Sequence, residues 1–366
     1  MVAVWIATRA AGASGLDHIG IAWSDDGGQS WTRSPELSTT NDQNDDPVIL
    51  AEPDGSFYVV WLGYAGQGVP DHIWGARSTD HGHTFGTPVV VNDTRNRGLD
   101  KPWIYAAGGT LYVTYAANNL GNPGAIMTVY MVTSTNHGAT WSSVLQVSPN
   151  AHDTANLARI AADATYVYAS YVNAPGNSDG SPQNAVYVTR KTLAALTFQA
   201  PVRASGVGES VVFQDTPIVA TAAGLGVVYV NGNLTGSSHV AFVRSSDQGA
   251  TFSSSLHVDD DGCMGVHMLP QLAAGPDGHL HVAFYDNRYG DPTGALWYAA
   301  SIDGGQSFGL NQFASDHAFP FTTSRMTNLW LGDYVGLAVA GGRIYASWTD
   351  PRNQMQSQVY VASGGL

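Results

Sequence analysis

The sequence is poor in cysteine, in lysine and in charge as a whole. Its single cysteine, Cys263, can close no disulfide within the chain and can build no multi-thiolate zinc site. Lysine occurs twice, as Lys101 and Lys191, and 15 Lys plus Arg face 29 Asp plus Glu, for a net charge of −14. Such a chain is a poor general binder of nucleic acid or anionic lipid. Charged residues make up 12% of the chain, against about 25% in an ordinary globular protein. No apolar run approaches the roughly 20 residues of a membrane span, so no membrane insertion is expected. No convincing amphipathic helical period appears. The opening segment Met1-Val-Ala-Val-Trp-Ile-Ala lacks a basic region and reads as a strand, so no signal peptide is expected in it.

Hydrophobic residues, at 44% with 10% aromatics, are ample for a large core. They are organised by a repeat. The segment Ser24-Asp-Asp-Gly-Gly-Gln-Ser-Trp31 returns from Ser78, Ser134, Ser245 and Ser301 as Ser-x-Asp-x-Gly-x-Thr/Ser-Trp/Phe, with Asn136 replacing the Asp in the third copy. The spacings are 54, 56, 111 and 56 residues. The spacing of 111 is two periods and predicts a worn copy near residue 189, where Thr189 to Phe198 keeps only the terminal Thr-Phe. Each copy is flanked by β-branched and aromatic runs, such as Pro47–Leu50, Phe57–Trp61, His72–Ala76 and Thr87–Val91, joined by tight turns such as Pro53-Asp54-Gly55.

Four short strands per period of about 55 residues predict an all-β fold, a β-propeller. Named A to D from the inside outwards, the runs make five complete blades, with B-C-D at the start and A-B-C at the end. Seven blades, the first and last incomplete, are the preferred count; six blades with a composite closing blade are the alternative. A single domain spanning 1–366 is expected.

Within the repeated segment the glycine supplies φ > 0 and the Asp carboxylate accepts turn N–H groups. These segments resemble the Asp-box, or bacterial neuraminidase repeat, of the sialidase superfamily, and the resemblance covers nearly the whole chain. It implies that the repeated turns join strands C and D, opposite a functional face built from D–A and B–C loops. It also implies an extracellular, secreted or cell-surface, carbohydrate-active protein. The sialidase catalytic pattern is not matched: there is no early Phe/Tyr-Arg-Ile-Pro motif, and of the three glutamates Glu36, Glu52 and Glu209, only Glu209 falls on the expected face.

Three groups on that face are candidates. Acids precede the inner strands at Asp46, Asp100, Asp153, Asp215 and Asp333, with His267 near the remaining one. They read either as satisfiers of backbone donors or as a carboxylate ring for acid/base or cation chemistry. Asp42, Asn44 and Asp46 have alternate, calcium-like spacing, although Pro47 stands where a calcium loop needs glycine; Asp259-Asp260-Asp261-Gly262 is acidic without that spacing. Second, Trp5…Arg9, Phe284-Tyr-Asp286-Asn-Arg288 and Trp348-Thr-Asp350-Pro-Arg352 share one frame. They read as Asp–Arg loop braces or, alternatively, as Arg9, Arg288 and Arg352 gripping a substrate carboxylate. Third, Lys101, Trp103, His152, Asp153, Arg159, Tyr171 and Glu209 gather mid-chain. Trp103 suits a sugar ring, Arg159 within an inner strand needs a partner or a wet channel, and His152 with Tyr171 suits base and acid for β-elimination. The expected partner is a glycan. The functions weighed are a glycoside hydrolase, a polyuronate lyase, and a non-catalytic lectin-like or scaffolding propeller.

Overall fold

The structure is a computed structural model that describes residues 1–7, 17–37, 43–64, 71–92, 97–118, 127–149, 154–174, 184–262, 264–290, 292–321, 331–353 and 357–365. It is all β: seven small antiparallel sheets form a seven-bladed propeller. Blade one has three strands, Val2–Ala7, His18–Trp23 and Thr32–Arg33. Blade seven also has three, Gly336–Ala340, Arg343–Asp350 and Gln358–Gly365. The five between are complete, with inner strands Gln43–Ala51, Arg97–Ala107, Thr154–Ala162, Ile218–Thr221 and His267–Ala274. Blade six carries one addition, Phe319–Pro320, which pairs with Thr293 and Gly294 of its third strand.

The second strand of each complete blade is buried on both faces, as in Phe57–Tyr64 and Gly224–Gly232, because each blade is sandwiched between two neighbours. The cores accordingly lie between blades. Tyr168, Val186 and Val188 of blade four meet Val227, Tyr229 and Val243 of blade five, and comparable clusters join the other successive blades. Each such side chain contributes on the order of 1.5–3 kcal/mol on burial.

The repeated turns join the last two strands of their blades. Ser24 Oγ donates to Asp26 Oδ1 at 2.7 Å and accepts from Gly28 N at 2.8 Å, while Ser30 N donates to Asp26 Oδ1 at 2.9 Å. The copies at Ser78, Ser134, Ser245 and Ser301 repeat the serine bonds, and Asn136 takes the Asp role by accepting from Thr140 N at 3.0 Å. At the worn copy Thr189 Oγ1 donates instead to the Gln199 carbonyl at 2.6 Å. The antiparallel order puts these turns on one face and the starts of the inner strands on the other.

Those starts are irregular. Four inner strands slip register through a bulge, between Asp45 and Val48, Asp100 and Trp103, Asn156 and Arg159, and Met268 and Gln271. Within each bulge a non-glycine residue takes positive φ: Asp46 (47°), Lys101 (49°), Leu157 (59°) and Leu269 (51°). Pro47, Pro102 and Pro270 follow three of them. A proline has no N–H to give a ladder, so it fits where the ladder breaks. The left-handed conformation costs a residue with a Cβ about 1–2 kcal/mol. Here it re-aims side chains at the channel mouth.

Candidate functional site

The bulges bring distant residues together at the centre of the ring. Lys101 Nζ lies 3.2 and 3.0 Å from the two Asp46 oxygens and 2.5 Å from Asp333 Oδ2. One ammonium therefore ties blades two, three and seven. Arg159, buried in blade four, pairs with Asp215, which precedes the inner strand of blade five. Its guanidinium sits 3.5 Å from the centroid of the Trp103 ring and 5.5 Å from that of Tyr334, and Lys101 Nζ is 5.2 Å from the Tyr334 ring. Asn156 Nδ2 donates to Asp100 Oδ2 at 2.7 Å. The Tyr334 hydroxyl is buried without a hydrogen-bond partner among the described residues.

Negative charge is in excess. Among the described residues, Asp45, Asp46, Asp100, Asp215 and Asp333 face two cations, Lys101 and Arg159. Burial, reinforced by Asp45, Asp100 and Asp333, pushes the Asp46 carboxyl up to about 7 against the pull of Lys101. Burial also raises Asp45. Burial opposes the charge on Lys101, but Asp46, Asp333 and Asp100 outweigh it and hold its pKa above the usual lysine value. Burial pulls Arg159 below the usual arginine value, and Asp215 beside it keeps the guanidinium charged. Burial and then Asp46 hold the Tyr334 phenol well above its ordinary value. The result is a carboxyl that can carry a proton near neutrality beside carboxylates at a channel mouth, a combination suited to proton transfer.

The candidates read from sequence fall into three sets. Lys101, Trp103, Arg159 and Asp46 come together, with the acids Asp100, Asp215 and Asp333. Trp103 has one face covered by Arg159, which limits what that face offers a sugar. Elsewhere, Tyr171 lies in the apolar core between blades three and four, its ring 6.1 Å from that of Tyr187. Glu209 accepts from Tyr229 Oη at 2.6 Å and from Ser255 Oγ at 2.5 Å between blades four and five. Arg288 and Arg352 are loop braces. Arg288 binds Asp286 at 2.5 Å and Asp260 at 2.6 Å, 3.9 Å over the Trp297 ring; Arg352 binds Asp350 at 2.8 Å and Asp316 at 3.0 Å, 3.8 Å over the Tyr360 ring. Their donors already serve these carboxylates, so neither reaches into the central cluster. Asn44 accepts from Trp61 Nε1 at 2.8 Å while Asp46 turns to Lys101, so the two do not converge on one calcium. Arg9, Asp42, His152 and Asp153 lie outside the described residues.

Sequence reasoning passed over Tyr334, Asp45 and Asn156. The signal was a frame: Asp45-Asp46, Asp100-Lys101 and Asn156-Leu157 each stand among the first residues of an inner strand, and Asp333-Tyr334 stands just before one. Aligning the four would have set Tyr334 beside Asp46 and Lys101.

Comparison with known proteins adds to this geometry. The family model described as glycosyl hydrolases family 43 matches residues 3–163, less than half the chain but including Asp46, Lys101, Trp103 and Arg159. No curated protein matches. Among solved structures, a protein of unknown function from Dyadobacter fermentans DSM 18053 is similar at TM-score 0.63 and 14% identity, over 89% of this chain and 95% of that one. An ulvan lyase of a new polysaccharide lyase family is similar at TM-score 0.61 and 11% identity, over 96% and 87%. The α-L-arabinanase of Penicillium chrysogenum, complexed with arabinobiose, is similar at TM-score 0.53 and 13% identity, over 77% and 84%. These likenesses establish a fold held in common with polysaccharide-acting propellers.

Proposed function

We propose that the chain is a carbohydrate-active propeller of glycoside hydrolase type that works on neutral glycans at the Asp46–Lys101–Asp333 cluster. The observation that carries this reading is a pair of carboxyl groups gathered on one lysine, one of them buried and able to hold a proton near pH 7. Asp46 serves as the acid that protonates the leaving oxygen, and Asp333, nearer the solvent, as the carboxylate facing the sugar. Contacts of 3.0 and 2.5 Å to the same Nζ cap the separation of those two oxygens at 5.5 Å. That lies below the roughly 6.5–9.5 Å of inverting glycosidases, and a retaining mechanism, with carboxyls about 5–5.5 Å apart, is the one this pair favours.

The partial family 43 match and the arabinanase likeness support a hydrolase; the ulvan lyase likeness favours a second reading, β-elimination from a uronate. Elimination needs a cation free to neutralise the substrate carboxylate. Lys101 is shared by two aspartates and Arg159 is paired with Asp215, so the hydrolase reading is preferred. The sialidase-like assignment of the repeats belongs to this proposal as a kinship of architecture, without the sialidase arginine set, and a secreted setting would follow from a polysaccharide substrate.

A panel of arabinans, other neutral glycans, sialosides and polyuronates, read by reducing ends and by absorbance of unsaturated uronates, tests the assignment. Reducing ends released from a neutral glycan, with kcat/KM lowered about 10²–10⁴-fold in Asp333→Asn, are expected. Unsaturated product would establish the lyase. Glycan retention without turnover by the folded protein would establish a binding module.

A further inference from the structure

We propose a second site, outside the central cluster: the connection from blade five to blade six holds a zinc-class divalent cation on Asp259, Asp261 and His267, completed from the pair His239 and His257. Candidate donor atoms of Asp259, Asp261 and His267 lie within 4.8 Å of one another, and so do those of His239, His257 and Asp259. Asp259 belongs to both triads and so joins them.

His267 supplies the decisive detail. It is fully buried, and its Nδ1 lies 2.6 Å from the Ser238 carbonyl oxygen. A carbonyl only accepts, so Nδ1 carries a proton and Nε2 is left to face inward. Nε2 makes no hydrogen bond; its neighbours are carboxylate oxygens, Asp286 Oδ2 at 3.2 Å and Asp261 Oδ2 at 3.6 Å. Nε2 thus faces two carboxylates, and the geometry calls for positive charge between them: a proton on Nε2, which a metal ion would displace. Orientation of a ring by an Nδ1–H bond to a carbonyl is also how metal-binding histidines are held. On the other side of Asp259, His239 Nδ1 is 2.7 Å from its Oδ2, and the His239 and His257 rings stack at 3.9 Å. Zinc requires donors at roughly 2.0–2.2 Å, so binding would draw these side chains inward.

Imidazole nitrogen with two carboxylates selects a zinc-class ion over calcium, which takes six to eight oxygens. The ion would pin the loop that carries Asp260, whose carboxylate also binds Arg288 and the Asn311 amide. It would thereby stiffen the functional face without belonging to the carboxyl–lysine cluster.

The test uses the full chain, stripped with EDTA and titrated calorimetrically with Zn²⁺, alongside metal analysis of untreated protein. One equivalent of bound Zn²⁺ and a raised Tm are expected. Affinity should fall at least tenfold in Asp261→Asn and in His257→Ala, the latter at the exposed rim where folding is not at stake. Co²⁺ should give the intense visible bands of four-coordinate N/O ligation in the parent and lose them in His267→Gln. A folded, stripped chain that takes up neither ion, or that binds both equally well in Asp261→Asn and His257→Ala, overturns the proposal. No glycan enters the measurement, so its outcome is independent of the proposed hydrolase activity.

Discussion

Arg159 is the largest charged side chain that the ring buries completely, and it shows how the central cluster is held. A buried guanidinium is tolerable only with a partner, and removing one member of a buried pair strands the other. Arg159→Met leaves Asp215 buried and uncompensated, and should cost about 3–5 kcal/mol by chemical denaturation; adding Asp215→Leu should recover most of that loss. Asp46 makes a different prediction. Its folded pKa of about 7 lies above the usual aspartate value of 3.8, so between those values the native state binds more protons than the unfolded chain. Stability then falls as pH rises through that window. Asp46→Asn should flatten the dependence, seen as denaturation midpoints at pH 5 and pH 8 that draw together relative to the parent. In the proposed reaction the same proton is the one delivered, so kcat should also fall as pH rises past about 7, and Asp46→Asn should lose both that limb and most of the rate.

At the scale of elements, the repeated turn and the blade behind it are one unit. At three of the five copies the fifth residue of the turn is glycine for two reasons. Gly138 has φ +80°, and a Cβ there would meet Tyr58 of blade two at 2.1 Å; Gly82 and Gly305 meet Val2 and Phe242 in the same way, at 2.1 and 2.5 Å. Gly278, in an ordinary hairpin turn, has φ +82° but nothing within 4 Å. Gly278→Ala should therefore cost only the backbone term, about 1–2 kcal/mol. Gly138→Ala should add an overpacking cost of about 1–3 kcal/mol, and thermal unfolding of the two variants should separate them. The turns also explain what could be read in advance. Local chemistry repeated at fixed spacing gave the seven blades, including the worn copy at Thr189 and the incomplete first and last blades. The strand Phe319–Pro320 carries no repeat and pairs only because the chain returns across blade six. In the site, Lys101 and Arg159 could be singled out as charges in inner strands, but Asp333 is 232 residues from Lys101 and Asp215 is 56 from Arg159. Ring geometry makes those pairs, and no local pattern announces it. The metal-ligand set was missed for the same reason: His239 stands 20 residues before Asp259, on a neighbouring strand.

For the whole molecule, charge decides which glycan fits. The chain carries −14 overall, and at the centre of the ring five aspartates surround two cations that are already bonded to carboxylates. A polyuronate would bring further negative charge to a low-dielectric pit in which no cation among the described residues is left unpaired to receive it, and burying an uncompensated carboxylate is costly. A neutral polysaccharide meets no such penalty and finds hydrogen-bonding carboxylates. Screening distinguishes the two cases, because the Debye length shrinks from about 30 Å at 0.01 M salt to about 10 Å at 0.1 M. With a neutral glycan, kcat/KM should change less than about twofold over that range, since no long-range charge–charge term enters the encounter. Any association with a polyuronate should instead strengthen as salt is added. A polyuronate bound more tightly at low salt would mean that a cation faces the solvent on this ring, and would return the assignment to elimination chemistry.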